Sequence, residues 1–267
     1  MPLPHSARKM RNNWNDRWPV ILTGFTSDRD FSVRYFQISN IGRVRSSNQD
    51  CVLADATAGL WVVADGMGGH TGGAEASRLA CDAVKEGVQH GMPLSDAFEV
   101  AHSRVRTAQE ENSSLHDMGT TLVAVQEDHK GNYDLAWVGD SRIYRFDLKS
   151  GEFECLTRDH NVAGRLLESG RITEDQARAH PQRHVLTDCI GQREGLPNIE
   201  STRLKWRTGD RLLICTDGLN GELSDAEMGQ WLGDIRSPRA AAEKLAHQAL
   251  EAGGRDNVSL IVLDAPQ

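Results

Sequence analysis

From Tyr35 onward, apolar positions recur with two different periods along the chain. Residues 35–41, 51–54 and 59–64 are short runs rich in aliphatic and aromatic side chains, bounded by polar turns, and they predict three strands. A Gly-rich segment at 66–73 then leads into a predicted helix over about 74–90. A second helix is predicted over 95–111, where Ala97, Ala101, Val105 and Ala108 stack on one face. Three strands follow at 121–126, 133–138 and 142–146, with a short one at 153–156 beyond the turn 147–151.

Residues 157–198 lose this regularity. They are largely polar, with a capping box at Thr173-Glu-Asp-Gln176, and suit a flap over a site. Strands resume at 199–206 and 211–216. One helix is capped by Ser224 with Glu227, another opens at Ser237-Pro238 and runs to Gly253-Gly254, and 258–263 forms a closing strand. Strands come in runs and helices in pairs, unlike the alternation of a parallel doubly wound sheet, so the pattern predicts antiparallel sheets with helices packed outside. A single domain over 35–264 accounts for it. Residues 1–34 carry clustered arginines and no sustained period, and read as an N-terminal extension. Either Trp14 and Trp18 dock it or it is partly disordered.

The chain has 267 residues and a net charge of −8, which argues against nonspecific nucleic-acid binding. It also makes a phosphorylated partner awkward unless cations or an arginine offset the repulsion. Five scattered cysteines without a Cys-x-x-Cys pair suggest reduced thiols, no zinc site and a cytoplasmic protein. Cys215, in an apolar run, reads as a core residue. No apolar stretch approaches a membrane span or a signal-peptide core. Nothing demands more than a monomer.

Three apolar strands end in an aspartate followed by a small residue, at Asp65-Gly66, Asp140-Ser141 and Asp217-Gly218, and Asp256 directly precedes the last strand. One such residue is an ordinary turn former. Together they suggest one cleft, in which carboxylates repel one another unless a cation is present. Oxygen ligands without histidine or cysteine select Mg²⁺ or Mn²⁺ over zinc. The glycines of 66–73 let a backbone carbonyl approach such a cation. A dinucleotide loop is the rival reading, but Asp65 at its head would repel a pyrophosphate.

Six ordered motifs carry a family resemblance: Gly42-Arg-Val-Arg45-Ser-Ser-Asn-Gln-Asp50, Asp65-Gly-Met-Gly-Gly-His70, Gly119-Thr-Thr121, Gly139-Asp-Ser-Arg142, Thr216-Asp-Gly218 and Gly254-Arg-Asp-Asn257. The chain resembles the metal-dependent, type 2C serine/threonine protein phosphatases, in particular their bacterial branch. The resemblance implies an α+β fold of two stacked antiparallel sheets flanked by helices on both sides, an αββα sandwich with a flap. It implies two cations, Mn²⁺ or Mg²⁺, bridged by Asp65, with the Gly66 carbonyl on one and Asp217 and Asp256 on the other. In bacterial relatives a third lies near the flap, at positions matching Asp140 and Asp217. Arg45 matches a phosphate clamp, Asp50 and Gln49 support the cluster, and Asn257 orients Asp256. Paired cations lower the pKa of a bridging water, which attacks phosphorus.

Two positions depart from the family pattern. Met67 stands where some relatives place a histidine general acid, and Gln49 where many have glutamate. His70 and His160 are histidines in polar loops, and neither takes over that role on sequence grounds. The implied partner is a phosphorylated protein, such as a serine/threonine kinase or its target. The different-class alternative is a catalytically weak or silent phosphoprotein-binding or scaffolding domain.

Overall fold

The computed structural model describes the backbone of residues 20–23 and all of residues 33–68, 71–128 and 130–266. Expectations for the rest of 1–32, Trp14 and Trp18 included, and for His70 lie outside the described residues. The first half runs β1 (Val20–Thr23), β2 (Arg34–Asn40), β3 (Asp50–Asp55), β4 (Leu60–Met67), α1 (Gly72–Gln89), α2 (Leu94–Glu111), β5 (Gly119–Thr120) and β6 (Leu122–Glu127). It continues with β7 (Asn132–Val138), β8 (Arg142–Asp147), β9 (Phe153–Cys155), α3 (Val162–Glu168) and α4 (Glu174–Arg178). The remainder is β10 (Glu200–Lys205), β11 (Asp210–Cys215), α5 (Asp217–Asn220), α6 (Asp225–Asp234), α7 (Pro238–Ala252) and β12 (Val258–Asp264).

Every ladder among the described residues is antiparallel. One sheet has the order β1-β2-β12-β11-β8-β9, the other β10-β7-β6-β4-β3, with β5 beside the end of β4. β4 shows how sequence becomes layering. Leu60, Val62 and Ala64 join the apolar layer shared with α1 and α2, whereas Trp61 and Val63 join the layer between the sheets. Both faces are covered, so the strand reads as an unbroken apolar run. On the far side Phe36, Ile38, Leu213 and Val262 pack against Leu232 of α6 and Leu245 of α7. The result is the expected helix–sheet–sheet–helix sandwich.

Three short elements depart from expectation. β1 pairs with β2, Val20 opposite Asn40, inside the stretch read as an extension. β4 continues to Met67 because Gly66 and Met67 pair with Thr120 and Gly119 of β5, so Asp65 lies within the strand rather than at its tip. The four-residue α5 follows β11 directly. The caps match the sequence: Thr173 with Gln176 and Ser224 with Glu227 form capping boxes, and Ser237 caps α7 ahead of Pro238.

Arg211 on β11 is fully buried, which its place at a strand start did not foretell. Its Nε and Nη2 donate to Asp264 of β12 at 2.6 and 3.2 Å. Nη1 and Nη2 also donate to the carbonyls of Leu232, Ile235 and Arg236 that close α6, at 2.7, 2.5 and 2.6 Å. The guanidinium thereby ties the central strands to the end of a helix with an orphan carbonyl row. Arg211→Met should cost about 3–5 kcal/mol in urea unfolding, because Asp264 and three carbonyls lose a donor. Adding Asp264→Leu should recover part of that loss, and the double-mutant cycle measures how much.

Candidate metal centre and phosphate site

Five aspartates converge from five points in the chain. Asp50 opens β3 directly opposite Asp65 on β4. Asp140 sits in the β7–β8 turn, Asp217 begins α5, and Asp256 lies just before β12. Burial and then the charges of Asp50, Asp217, Asp140 and Asp256 push the Asp65 carboxyl well above the usual carboxylate range. Asp140 is pushed up to about 8, by burial first and then by Asp217 and Asp159. Asp50 is pushed up to about 7, again mainly by burial, with Asp217 and Asp256 adding to it.

The flanking motifs hold these side chains in place. The Asp65 amide donates to Thr121 Oγ1 at 2.9 Å, and the Thr121 amide donates back to the Asp65 carbonyl at 2.9 Å. Thr121 Oγ1 lies 2.7 Å from Ser141 Oγ, so the hydroxyls link Asp65 to the turn that carries Asp140. Thr216 Oγ1 donates to Asp50 Oδ2 at 3.1 Å. Two glycines permit the close approach. A Cβ on Gly66 would sit 2.1 Å from the Gly73 carbonyl oxygen, and one on Gly218 would sit 1.9 Å from that of Asn257.

Arg45 binds Asp256 through both carboxylate oxygens, Nε to Oδ1 at 2.8 Å and Nη2 to Oδ2 at 2.6 Å. That paired hydrogen bond raises the guanidinium pKa, and its head stays more than half exposed. Asn257 meets Asp256 through its backbone. Its backbone N–H, not its side chain, donates to Asp256 Oδ1 at 2.8 Å. The side-chain amide instead anchors the arginine loop, donating to the carbonyls of Ile41 and Ser47 at 2.9 and 3.0 Å and accepting from the Gln49 amide at 2.8 Å. Gln49 donates its own side-chain amide to the Gly68 carbonyl at 3.2 Å.

The donor set fits a hard divalent cation. Asp50 Oδ1 is buried without a hydrogen-bond partner, and three neighbouring carboxyls resist ionisation unless positive charge is supplied. Among the described residues, however, no three His, Cys, Asp or Glu side chains stand close enough to hold one ion by themselves. That spacing suits Mg²⁺-like ions, which keep several waters and take one or two carboxylates each. Asp256 would have to release at least one oxygen from Arg45 to bind one.

Several partners escaped the sequence reading. His184 of the flap places Nδ1 3.2 Å from Asp217 Oδ2, and that bond raises the imidazole pKa. Asn161 donates to Asp140 Oδ2 at 3.3 Å, and Arg142 grips Asp159 through two bonds of 2.7 Å. Arg142 belongs to one of the six ordered motifs, but only the polar character of the flap hinted at His184, Asn161 and Asp159. His160 is buried, accepting at Nδ1 from the Gly139 amide at 3.3 Å and facing Glu200 at 3.0 Å through Nε2. Cys215 is fully buried and burial pushes its thiol up, as befits a core residue.

Comparison with known proteins identifies the family. The family model for protein phosphatase 2C matches residues 42–252. The serine/threonine protein phosphatase PstP of Mycobacterium tuberculosis is 36% identical over 239 residues, covering 87% of this chain. The chain spans 45% of the length of that relative. The serine/threonine phosphatase stp of Listeria innocua is 31% identical over 236 residues, covering 84% of this chain and 92% of the relative. The crystal structure of the M. tuberculosis phosphatase PstP/Ppp superposes with a TM-score of 0.80 at 33% identity, over 89% of this chain and 100% of that one. A structure of the PstP catalytic domain in complex with 2 manganese ions gives a TM-score of 0.78 at 33% identity, over 88% and 99% of the two chains.

The raised carboxyls set a sign for stability against pH. Asp140 titrates near 8 when folded against an ordinary 3.8, so between those values the folded chain keeps a proton that the unfolded chain has released. In chelator the melting temperature should therefore fall as pH rises through this window. Saturating Mn²⁺ should raise it, most at the alkaline end. A melting temperature in chelator that climbs from pH 5 to 8 would contradict the carboxylate cluster.

Proposed function

The chain belongs to the protein phosphatase 2C family, and we propose that it hydrolyses phosphoserine and phosphothreonine in proteins with the help of divalent cations, Mn²⁺ or Mg²⁺. Asp65, the Gly66 carbonyl, Asp217 and Asp256 would hold two, and Asp140 with Asp217 a third. The observation that carries this reading is the meeting of mutually repelling carboxylates with one exposed arginine at the same cleft. When bound, the cations supply charge neutralisation at the phosphoryl group and lower the pKa of water.

The chain's own groups bind and orient. Arg45 offers a planar fork that matches phosphate oxygens as well as it matches Asp256, and it can exchange one anion for the other. Asp50, fixed by Thr216, presents Oδ1 as an acceptor for water. Met67 has no proton to donate and His160 is committed to Gly139 and Glu200, so neither protonates the leaving oxygen. Substrates on this reading are phosphoproteins, a serine/threonine kinase or its target among them. We expect a cytoplasmic monomer, in which the five cysteines stay reduced. No helix among the described residues is long and apolar enough to cross a membrane.

Hydrolysis of p-nitrophenyl phosphate and of a phosphothreonine peptide should require Mn²⁺ or Mg²⁺; turnover that survives full chelation would sink the mechanism, and no turnover with either metal would favour the binding-module alternative. Asp217→Asn should lose at least ~100-fold in kcat, the scale on which one electrostatic group matters in such sites. Arg45→Ala should raise KM roughly tenfold, the worth of a charge-assisted hydrogen bond, with a smaller effect on kcat. Unchanged KM and kcat would remove Arg45 from the phosphate site.

A further inference from the structure

Helix α1 lies along β3 with a register fixed at both ends. At one end Ser77 Oγ donates to the Gln49 carbonyl at 2.7 Å. At the other, Asp55 Oδ2 takes Gln89 Nε2 at 3.0 Å and lies 3.8 Å from Lys85 Nζ. Four residues of helix advance about 6 Å. Two residues of strand advance about 6.6 Å. Stepping inward from Ser77 and Gln49 therefore places Cys81 against Cys51.

The side-chain faces agree. Cys51 and Leu53 pack against the apolar layer that contains Cys81, whereas Val52 and Ala54 pack against the layer between the sheets. Cys81 is fully buried, and the neighbouring Cys51 together with burial pushes its thiol well above the usual range, while Cys51 is partly exposed. The register and the shared apolar layer thus make the two thiols neighbours, and an oxidant reaches Cys51 first.

We propose that Cys51 and Cys81 form a peroxide-sensitive dithiol whose oxidation to a disulfide lowers activity reversibly. Hydrogen peroxide transfers an oxygen to the Cys51 sulfur, giving a sulfenic acid and one water. The Cys81 thiol then attacks that sulfur, the S–S bond forms, the S–O bond breaks, and a second water leaves with the Cys81 proton. The two thiols are oxidised together by two electrons, and peroxide is reduced. A dithiol reverses the step by exchange.

The site lies one residue from the catalytic machinery. Cys51 follows Asp50, which faces Asp65 across the ladder. Closing the thiols to the ~2.05 Å of an S–S bond draws the start of β3 toward α1 and displaces Asp50 relative to Asp65. The effect on turnover rests on the phosphatase reading, whereas the disulfide itself does not.

The test treats the full chain with hydrogen peroxide, blocks free thiols with iodoacetamide and maps peptides without reduction. A Cys51–Cys81 linked peptide lighter by two hydrogens, lost on adding dithiothreitol, is expected. Turnover of p-nitrophenyl phosphate should fall roughly tenfold in step with it and recover with dithiothreitol, since misplacement on the ångström scale can cost up to ~100-fold. Cys51→Ala should keep its untreated turnover and lose the sensitivity. Recovery of both cysteines as alkylated thiols would overturn the proposal without touching the phosphatase reading. A disulfide that leaves turnover unchanged, or inhibition that persists in Cys51→Ala, would equally overturn it.

Discussion

The interaction on which the rest of the molecule depends is repulsive: Asp50 and Asp65 stand opposite each other across an antiparallel ladder. Like charges in that position destabilise a sheet, and burial adds to the cost. Register cannot relax it, because a slip by one residue would turn Trp61 and Val63 out of the layer between the sheets. The apolar packing on both faces of β4 therefore holds two carboxylates where neither would stay alone. Asp140, Asp217 and Asp256 are added from the turns at the same place, so the core's stability is spent on concentrating negative charge.

A second constraint is the path of the loop between β2 and β3. It carries Arg45 to the mouth of the site, yet its only firm hold there is polar. Asn257 reaches it at Ile41, Ser47 and Gln49, and the Arg43 amide donates to the Gly254 carbonyl at 2.7 Å. The phosphate clamp and the carboxylate at Asp256 are thus fixed by adjacent residues of one segment. Their relative position does not depend on the flap, which touches the opposite side of the site through His184 and Asp217.

Much of this was legible in the chain. Strands buried on both faces announce themselves as apolar runs, and an aspartate closing such a run stands out. Helices with Ser or Thr caps were bounded closely for the same reason: the capping residues act over three or four positions. What stayed hidden acts over long separations or very short elements. β5 has two residues and is held by distant partners, Gly66 and Met67 on one side and Ile190 bridging Thr120. Arg211 opens a predicted strand with nothing nearby in sequence to mark it, since its partners at Asp264 and the end of α6 are set by tertiary packing. His184 and Asn161 belong to the site through contacts that cross 33 and 21 residues. Asn257 was expected beside Asp256, but which of its groups would act there was not legible, because a motif records a residue and not which of its groups is used.

That amide has a consequence for how the protein tolerates error. Asn257 uses its oxygen to accept and its nitrogen to donate twice, so all three contacts distinguish the two ends of the side chain. An aspartate has the same outline and would fit without a clash. It would nevertheless face two carbonyl oxygens with a third oxygen and add a sixth carboxylate to a region already rich in them. The two residues differ by a single base in the genetic code, and deamidation converts asparagine to aspartate chemically. Three of the holds on the loop bearing Arg45 thus depend on which end of one side chain carries nitrogen, a vulnerability that neither volume nor hydrophobicity would reveal.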